Sequence, residues 1–218
     1  MNAFDMSDVK ERIRRDVSRE TFERLEIIVA QLEKWQPRIN LVASSTMNQI
    51  WQRHILDSLQ LIRFFPELIE KPDVNWIDLG SGGGFPGLVV AACLTWRPGS
   101  KMTMVESNAK KCAFLRETSR IAGLPVQVVN QRIEDAVPEL TEHYDVVSAR
   151  ALASLQELLS MASPLLAKGT VGIFPKGQDV DDEIKSASIS WNIGYDLIDS
   201  QTEPGAKIVV VKFASRLK

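Results

Sequence analysis

"WIDLGSGGGFPGLVVAACL", residues 76–94, sets five glycines and one proline between two apolar runs. The first run reads as a strand and the second as a helix, so the glycines stand at the handover. A chain puts such residues there when something must come closer to its backbone than a side chain allows. Gly80, Gly82 and Gly84 form a G-x-G-x-G run directly after the strand, and Pro86 suits the first turn of the next helix. Gly82, Gly84 and Gly87 also satisfy G-x-G-x-x-G, but that phase begins two residues late relative to the strand end.

Downstream, short β-rich runs alternate with helical runs. "VNWIDL", "KMTMVE", "VQVVN", "YDVVSA" and "TVGIFP" are each followed by a helical stretch, the pattern of a parallel sheet covered on both faces. The end breaks the alternation. "GYDLIDSQTE" and "KIVVVKF" flank a turn at Pro204-Gly205 too short for a helix, so these two strands pair antiparallel.

Upstream, residues 7–71 read as helical. Phe22, Leu25, Ile28, Val29, Leu32 and Trp35 form one stripe, ended by Pro37; Ile50, Ile55, Leu59, Ile62 and Phe65 form another, closed by Pro66. "EKPDVN" marks a boundary between a helical N-terminal extension, 1–72, and an α/β domain, 73–218.

The 218 residues are 44% hydrophobic and 25% charged, ordinary for a globular chain, and long enough for a sizeable core. With 26 basic and 28 acidic residues the net charge is −2, which neither indicates nor excludes nucleic acid. Two cysteines, Cys93 and Cys112, make no framework, and two histidines assemble no metal cluster by spacing. No signal peptide or membrane span is expected, and a reducing cytoplasm is the expected compartment.

Ligands of such sheets sit beyond the carboxyl ends of the strands, where strand order reverses. Glu106 ends the second strand, 26 residues after Gly80, where a carboxylate can accept two ribose hydroxyls; an acid opening the next helix near Asn108 is the alternative. Glycine loop and acid indicate a ribose-containing cofactor without separating NAD from S-adenosylmethionine. Three features favour the latter: the closing hairpin, the lack of a Tyr-x-x-x-Lys pair for hydride chemistry, and Ile133-Glu134-Asp135 after the third strand, suited to an adenine and its amino group.

"NLV" at 40–42, "RHILDS" at 53–58, "IDLGSGGGFPG" at 77–87, "SARALASL" at 148–155 and "PKG" at 175–177 occur in an order and spacing that resembles one family. It is the ribosomal RNA small-subunit methyltransferase G family, also called glucose-inhibited division protein B. The resemblance implies a class I S-adenosylmethionine-dependent methyltransferase. Its sheet would be Rossmann-like, mostly parallel and seven-stranded, ending in an antiparallel hairpin. It implies methylation of N7 of a guanine in 16S ribosomal RNA, guanine 527. The partner is then 16S ribosomal RNA or a small-subunit ribosomal particle, with no membrane and a monomeric protein. By motif, Gly80 and Phe85 line the cofactor, Ile133 and Glu134 flank its adenine, and Arg150 lies near its methionine end.

Arg150 follows the fourth strand, where a guanidinium can grip a methionine carboxylate bidentately; Lys176 follows the fifth, a candidate for phosphate or base contact. His54, Asp57 and Ser58 share one helical turn and make no triad; Arg53, His54 and Asp57 are read as tying the helices to the mouth of the sheet, with direct RNA or cofactor contact as the alternative. Arg150, Lys176 and His54 are expected to position, since N7 is a lone pair and needs no general base. Neither cysteine falls in a loop at a strand end, and no Asp/Asn/Ser-Pro-Pro-aromatic motif follows the fourth strand. Two positions depart from the family pattern: Val42 replaces a threonine, and Ala206-Lys207 stands where an arginine is usual. "KERIRRDVSRE" interleaves acids with its bases and reads as a solvated helix face, while Arg116, Arg120 and Arg132 could add to a patch at the mouth. A small-molecule methyltransferase, or a non-catalytic RNA-binding module on the same fold, are the alternatives.

Overall fold

The computed structural model describes residues 6–63 and 71–217. The expected role of Phe65 and Pro66 lies outside them. The helices are α1 (Met6–Asp16), α2 (Arg19–Trp35), α3 (Asp57–Arg63), α4 (Gly87–Leu94), α5 (Ala109–Ala122), α6 (Ile133–Glu139), α7 (Leu155–Leu166) and α8 (Val180–Ser188). The strands are β1 (Asn75–Leu79), β2 (Lys101–Val105), β3 (Val126–Val129), β4 (Val146–Ser148), β5 (Val171–Lys176), β6 (Trp191–Asp199) and β7 (Lys207–Arg216).

They form one seven-stranded sheet in the order β3-β2-β1-β4-β5-β7-β6. The first five are mutually parallel, β7 runs antiparallel to β5, and β6 antiparallel to β7. This is the mostly parallel, seven-stranded sheet closed by an antiparallel hairpin that the resemblance implies. Strand order reverses between β1 and β4, which puts the crevice at their carboxyl ends.

The two faces have different cores. Trp76, Leu88, Phe114 and the apolar stripe of α2 form one; Ile77, Leu79, Leu158, Leu159 and Ile184 form the other. Alternation along β1 thus sends Trp76 to one side and Ile77 and Leu79 to the other. α4 is sandwiched between the sheet and the N-terminal helices, touching α2 and α3. That explains "GLVVAACL": a helix covered all round has no polar face to show. Asn108 caps α5 by accepting from Lys110 and Lys111, and Ser154 forms a capping box with Glu157 at α7.

The N-terminal region is less regular than its stripes suggest. After α2, the Gln36 side chain accepts from the N–H groups of Leu41 and Val42 and donates to the Val42 carbonyl, folding the chain back on itself. A 3-10 turn at Ser44–Gln49 and a π-helical turn at Trp51–Leu56 then lead into α3. Such π turns interrupt the ordinary carbonyl ladder and often occur at functional sites.

Candidate active site

The glycine loop after β1 opens onto a crevice of about 630 Å3, lined among others by Gly80, Gly82, Phe85, Glu106, Ile133 and Glu134. Gly80 needs its glycine twice over. Its φ is +66°, and a Cβ there would stand 2.6 Å from the Leu152 side chain. Gly83 is needed for contact: a Cβ would lie 2.6 Å from the Leu41 carbonyl oxygen, in the segment that Gln36 folds back. At Gly82 a Cβ would meet nothing nearer than the Gly80 carbonyl at 3.7 Å, so bare backbone faces the crevice there. Gly84 does not line it; a Cβ there would strike Leu88 at 2.3 Å, so this glycine serves the packing of α4. Pro86 stands just before α4, at its cap, rather than inside its first turn.

Glu106 is buried at the end of β2. Its Oε2 accepts from Gly82 N (2.9 Å) and its Oε1 from Asn108 N (2.7 Å), so the carboxylate already fixes the loop that it faces. Each oxygen retains a further lone pair for a donor in the crevice. Ile133 and Glu134 open α6 and line the same crevice, as do Arg132 and Lys111.

Arg150 lies in the crevice, with its guanidinium turned towards the chain. Nη1 donates to the Arg53 carbonyl (3.0 Å) and to Asp57 Oδ2 (3.1 Å), Nη2 to His54 Nδ1 (2.8 Å), and Nε to the Phe85 carbonyl (3.4 Å). A bidentate grip on a carboxylate, as expected from the sequence, would compete with these bonds. Instead the residue ties the π turn and α3 to the end of β4. Asp57 completes the tie: its Oδ1 accepts from Gln60 Nε2 (2.8 Å) and Thr202 Oγ1 (2.6 Å), drawing in the β6–β7 turn.

The state of His54 follows from its partners. Arginine can only donate, so Nδ1 accepts and carries no proton. Thr46 Oγ1 gives its proton to the Ala43 carbonyl (2.7 Å), so it accepts from Nε2–H at 2.8 Å. Burial first, then the charges of Arg150 and Arg53, lower the imidazole to about 4. The ring is neutral at pH 7 and rests 4.9 Å from that of Phe85.

Asp78 was not singled out in the sequence. It lies under the loop in β1, where Oδ1 accepts from Ser148 Oγ (2.7 Å), which accepts in turn from Trp76 Nε1 (2.9 Å). Burial raises its carboxyl to about 6, against hydrogen bonds from Ser148 and Ser81 and the charge of Arg150. An acid inside an otherwise apolar strand is the signal that could have marked it.

Lys176 opens on a different cavity. A second hollow of about 550 Å3 lies between β5, α8, α3 and the β6–β7 turn, lined by Arg53, Asp57, Lys176, Glu183 and Glu203 among others. The two cavities share Arg150, Ala151 and Leu152. At this junction Ala151 takes φ +51°, a left-handed conformation costing a residue with a β-carbon roughly 1–2 kcal/mol.

The basic residues considered for RNA are partly engaged. Lys10 pairs with Glu26 and lies over the Phe22 and Trp51 rings; Arg14 faces Glu11, Arg120 faces Glu117, and Arg116 donates to the Val128 carbonyl. Among the described residues no cluster suits a metal, and no helix is long and apolar enough to cross a membrane.

Comparison with known proteins bears on the family and the fold. The family model described as rRNA small subunit methyltransferase G matches residues 21–202. The ribosomal RNA small subunit methyltransferase G of Methylorubrum extorquens (strain PA1) is 48% identical over 201 residues, 92% of each chain. That of Ruegeria sp. (strain TM1040) is 44% identical over 213 residues, covering 97% of this chain and 100% of the relative. In fold alone, cofactor-bound Rv0187 from MTB matches with TM-score 0.59 at 14% identity, over 87% of this chain and 89% of that one. An rRNA methylase from Streptococcus thermophilus matches with TM-score 0.52 at 10% identity, over 72% and 96%. The chain belongs to the rRNA small subunit methyltransferase G family, and its cofactor is S-adenosylmethionine.

Proposed function

We propose that the chain methylates N7 of a guanine in 16S ribosomal RNA, guanine 527, with the second cavity receiving the base. When bound in the first crevice, S-adenosylmethionine supplies an electrophilic methyl on a sulfonium. Gly80, Gly82, Phe85, Ile133 and Glu134 would hold it, and Glu106 would accept from its ribose hydroxyls. The bare backbone at Gly82 fits that role.

The single observation carrying this reading is what stands where the two cavities meet. Transfer to a protonated acceptor at neutral pH calls for a base titrating near 7. The imidazole that Arg150 holds lines the first crevice and is neutral, with Nδ1 filled by Arg150 and Nε2 facing Thr46. The neighbouring Asp57 has both oxygens engaged. Such a junction suits an acceptor that brings a ready lone pair, and guanine N7 is one. What remains for the chain is alignment and exclusion of water, to which Arg150 contributes by locking the π turn against β4.

The test is digestion and mass mapping of ribosomal RNA from cells lacking the protein. Loss of one N7-methylguanine from small-subunit RNA, restored by the gene, supports the reading. An unchanged methylation map, or labelled methyl accumulating in small molecules instead, overturns it.

A further inference from the structure

Three carboxylates line the second cavity, and their partners separate them. Asp57 is filled on both oxygens. Glu203 pairs with Arg53 (3.0 Å) and is 43% exposed, where water competes for it. Glu183 differs. Its Oε2 is pinned from two sides, by Lys176 Nζ at 2.6 Å and by Leu155 N at 2.6 Å. Among the described residues its Oε1 has no partner.

Lys176 is equally constrained. Its side chain is only 8% exposed, and Nζ donates to the Ala153 carbonyl (2.7 Å) as well as to Glu183. An ammonium has three protons, so one remains. The wall of the cavity therefore presents one fixed donor beside one fixed acceptor, both anchored by backbone.

From this we infer that Glu183 reads the base: its Oε1 accepts from the exocyclic 2-amino group of the target guanine, while the remaining Lys176 proton meets O6. Guanine carries O6 and its 2-amino group at the two ends of one edge; cytosine has a comparable pair in O2 and its 4-amino group, but it has no N7 lone pair to present to the junction. Adenine would bring its 6-amino group against the lysine and nothing to the carboxylate, leaving the buried lysine facing another donor and the half-buried Glu183 unpaired. That orientation leaves N7, on the other side of O6, to face the junction at Arg150–Leu152. The inference rests on the second cavity being the guanine pocket.

The experiment uses small-subunit particles reconstituted on 16S RNA with either guanine or inosine at the methylated position; inosine lacks only the 2-amino group. For the wild-type protein, kcat/KM should fall about 10- to 100-fold on inosine. Glu183→Ala should lose a comparable factor on guanine yet discriminate guanine from inosine by less than about threefold. Melting and S-adenosylhomocysteine calorimetry establish that the variant is folded and loads cofactor. Should it not, Glu183→Gln keeps an oxygen for Lys176 and Leu155 N, and the same loss of discrimination is required of it. Equal factors lost on both RNAs, or a wild type indifferent to inosine, would overturn the role of Glu183. A wild type that methylates no guanine in either particle would instead overturn the proposed function.

Discussion

Arg150 Nη2 donates to His54 Nδ1 across 2.8 Å and 96 residues of chain, joining the end of β4 to the π-helical turn. Removing the imidazole takes one acceptor from the half-buried Arg150 guanidinium, which keeps its bonds to Arg53, Asp57 and Phe85, and takes the donor that faces the Thr46 hydroxyl. His54→Ala is expected to cost about 1–3 kcal/mol of stability, measured by denaturant unfolding. Cofactor affinity should change less than turnover, because the crevice's glycine backbone is untouched.

The same imidazole sets a pH signature. A histidine lowered from 6.5 to about 4 stays neutral in the fold and takes a proton in the unfolded chain, so its contribution is full above 6.5 and fades as pH falls towards 4. Asp78, raised from 3.8 to about 6, has the opposite sign: its contribution is full below 3.8 and fades as pH rises through 6. Between pH 4 and 6 the two oppose each other. His54→Gln should therefore gain stability relative to wild type as pH drops across that window, and Asp78→Asn should lose it. Unfolding free energies at several pH values check both signs; parallel curves for all three proteins would contradict the assignment.

Glu106 should matter for loading. Glu106→Ala frees the Gly82 amide that shapes the loop and, on the proposed reading, removes the charge-assisted hydrogen bonds to ribose. Affinity for S-adenosylhomocysteine should fall by about 1.5–3 kcal/mol in calorimetry. Unchanged affinity would mean that the acid serves the loop alone.

Two glycines make a matched pair. Gly83→Ala drives a Cβ to 2.6 Å from the Leu41 carbonyl, backbone that cannot swing aside, and should cost about 1–3 kcal/mol together with some cofactor affinity. At Gly177 a Cβ would meet nothing within 4 Å, and Gly177→Ala should stay within about 0.5 kcal/mol of wild type. Thermal melting of the two variants side by side is sufficient.

Much of this was legible in the chain. The parallel sheet shows in the alternation of β and α runs, and the closing hairpin in a turn too short for a helix. Gly80, Glu106 and Ile133 are legible because strand ends and helix starts are local events. What was not legible depends on distant partners. Nothing near Arg150 says that its guanidinium meets residues 53, 54 and 57; that follows from a π turn that re-aims the Arg53 carbonyl. Glu183 sits in "DVDDEIK", which reads as a solvated acidic helix start until Lys176 closes on it. Gly84 reads like its neighbours, and only the packing of Leu88 shows that it serves the core.

The most direct measurement is transfer of labelled methyl from S-adenosylmethionine by the purified protein to small-subunit particles lacking the modification, with the product located by mass spectrometry. The account predicts one methyl per particle, on N7 of guanine 527, and about 10- to 100-fold slower transfer by the Glu106→Ala protein at limiting cofactor. A methyl on an exocyclic nitrogen, on a ring carbon or at another nucleotide would contradict it.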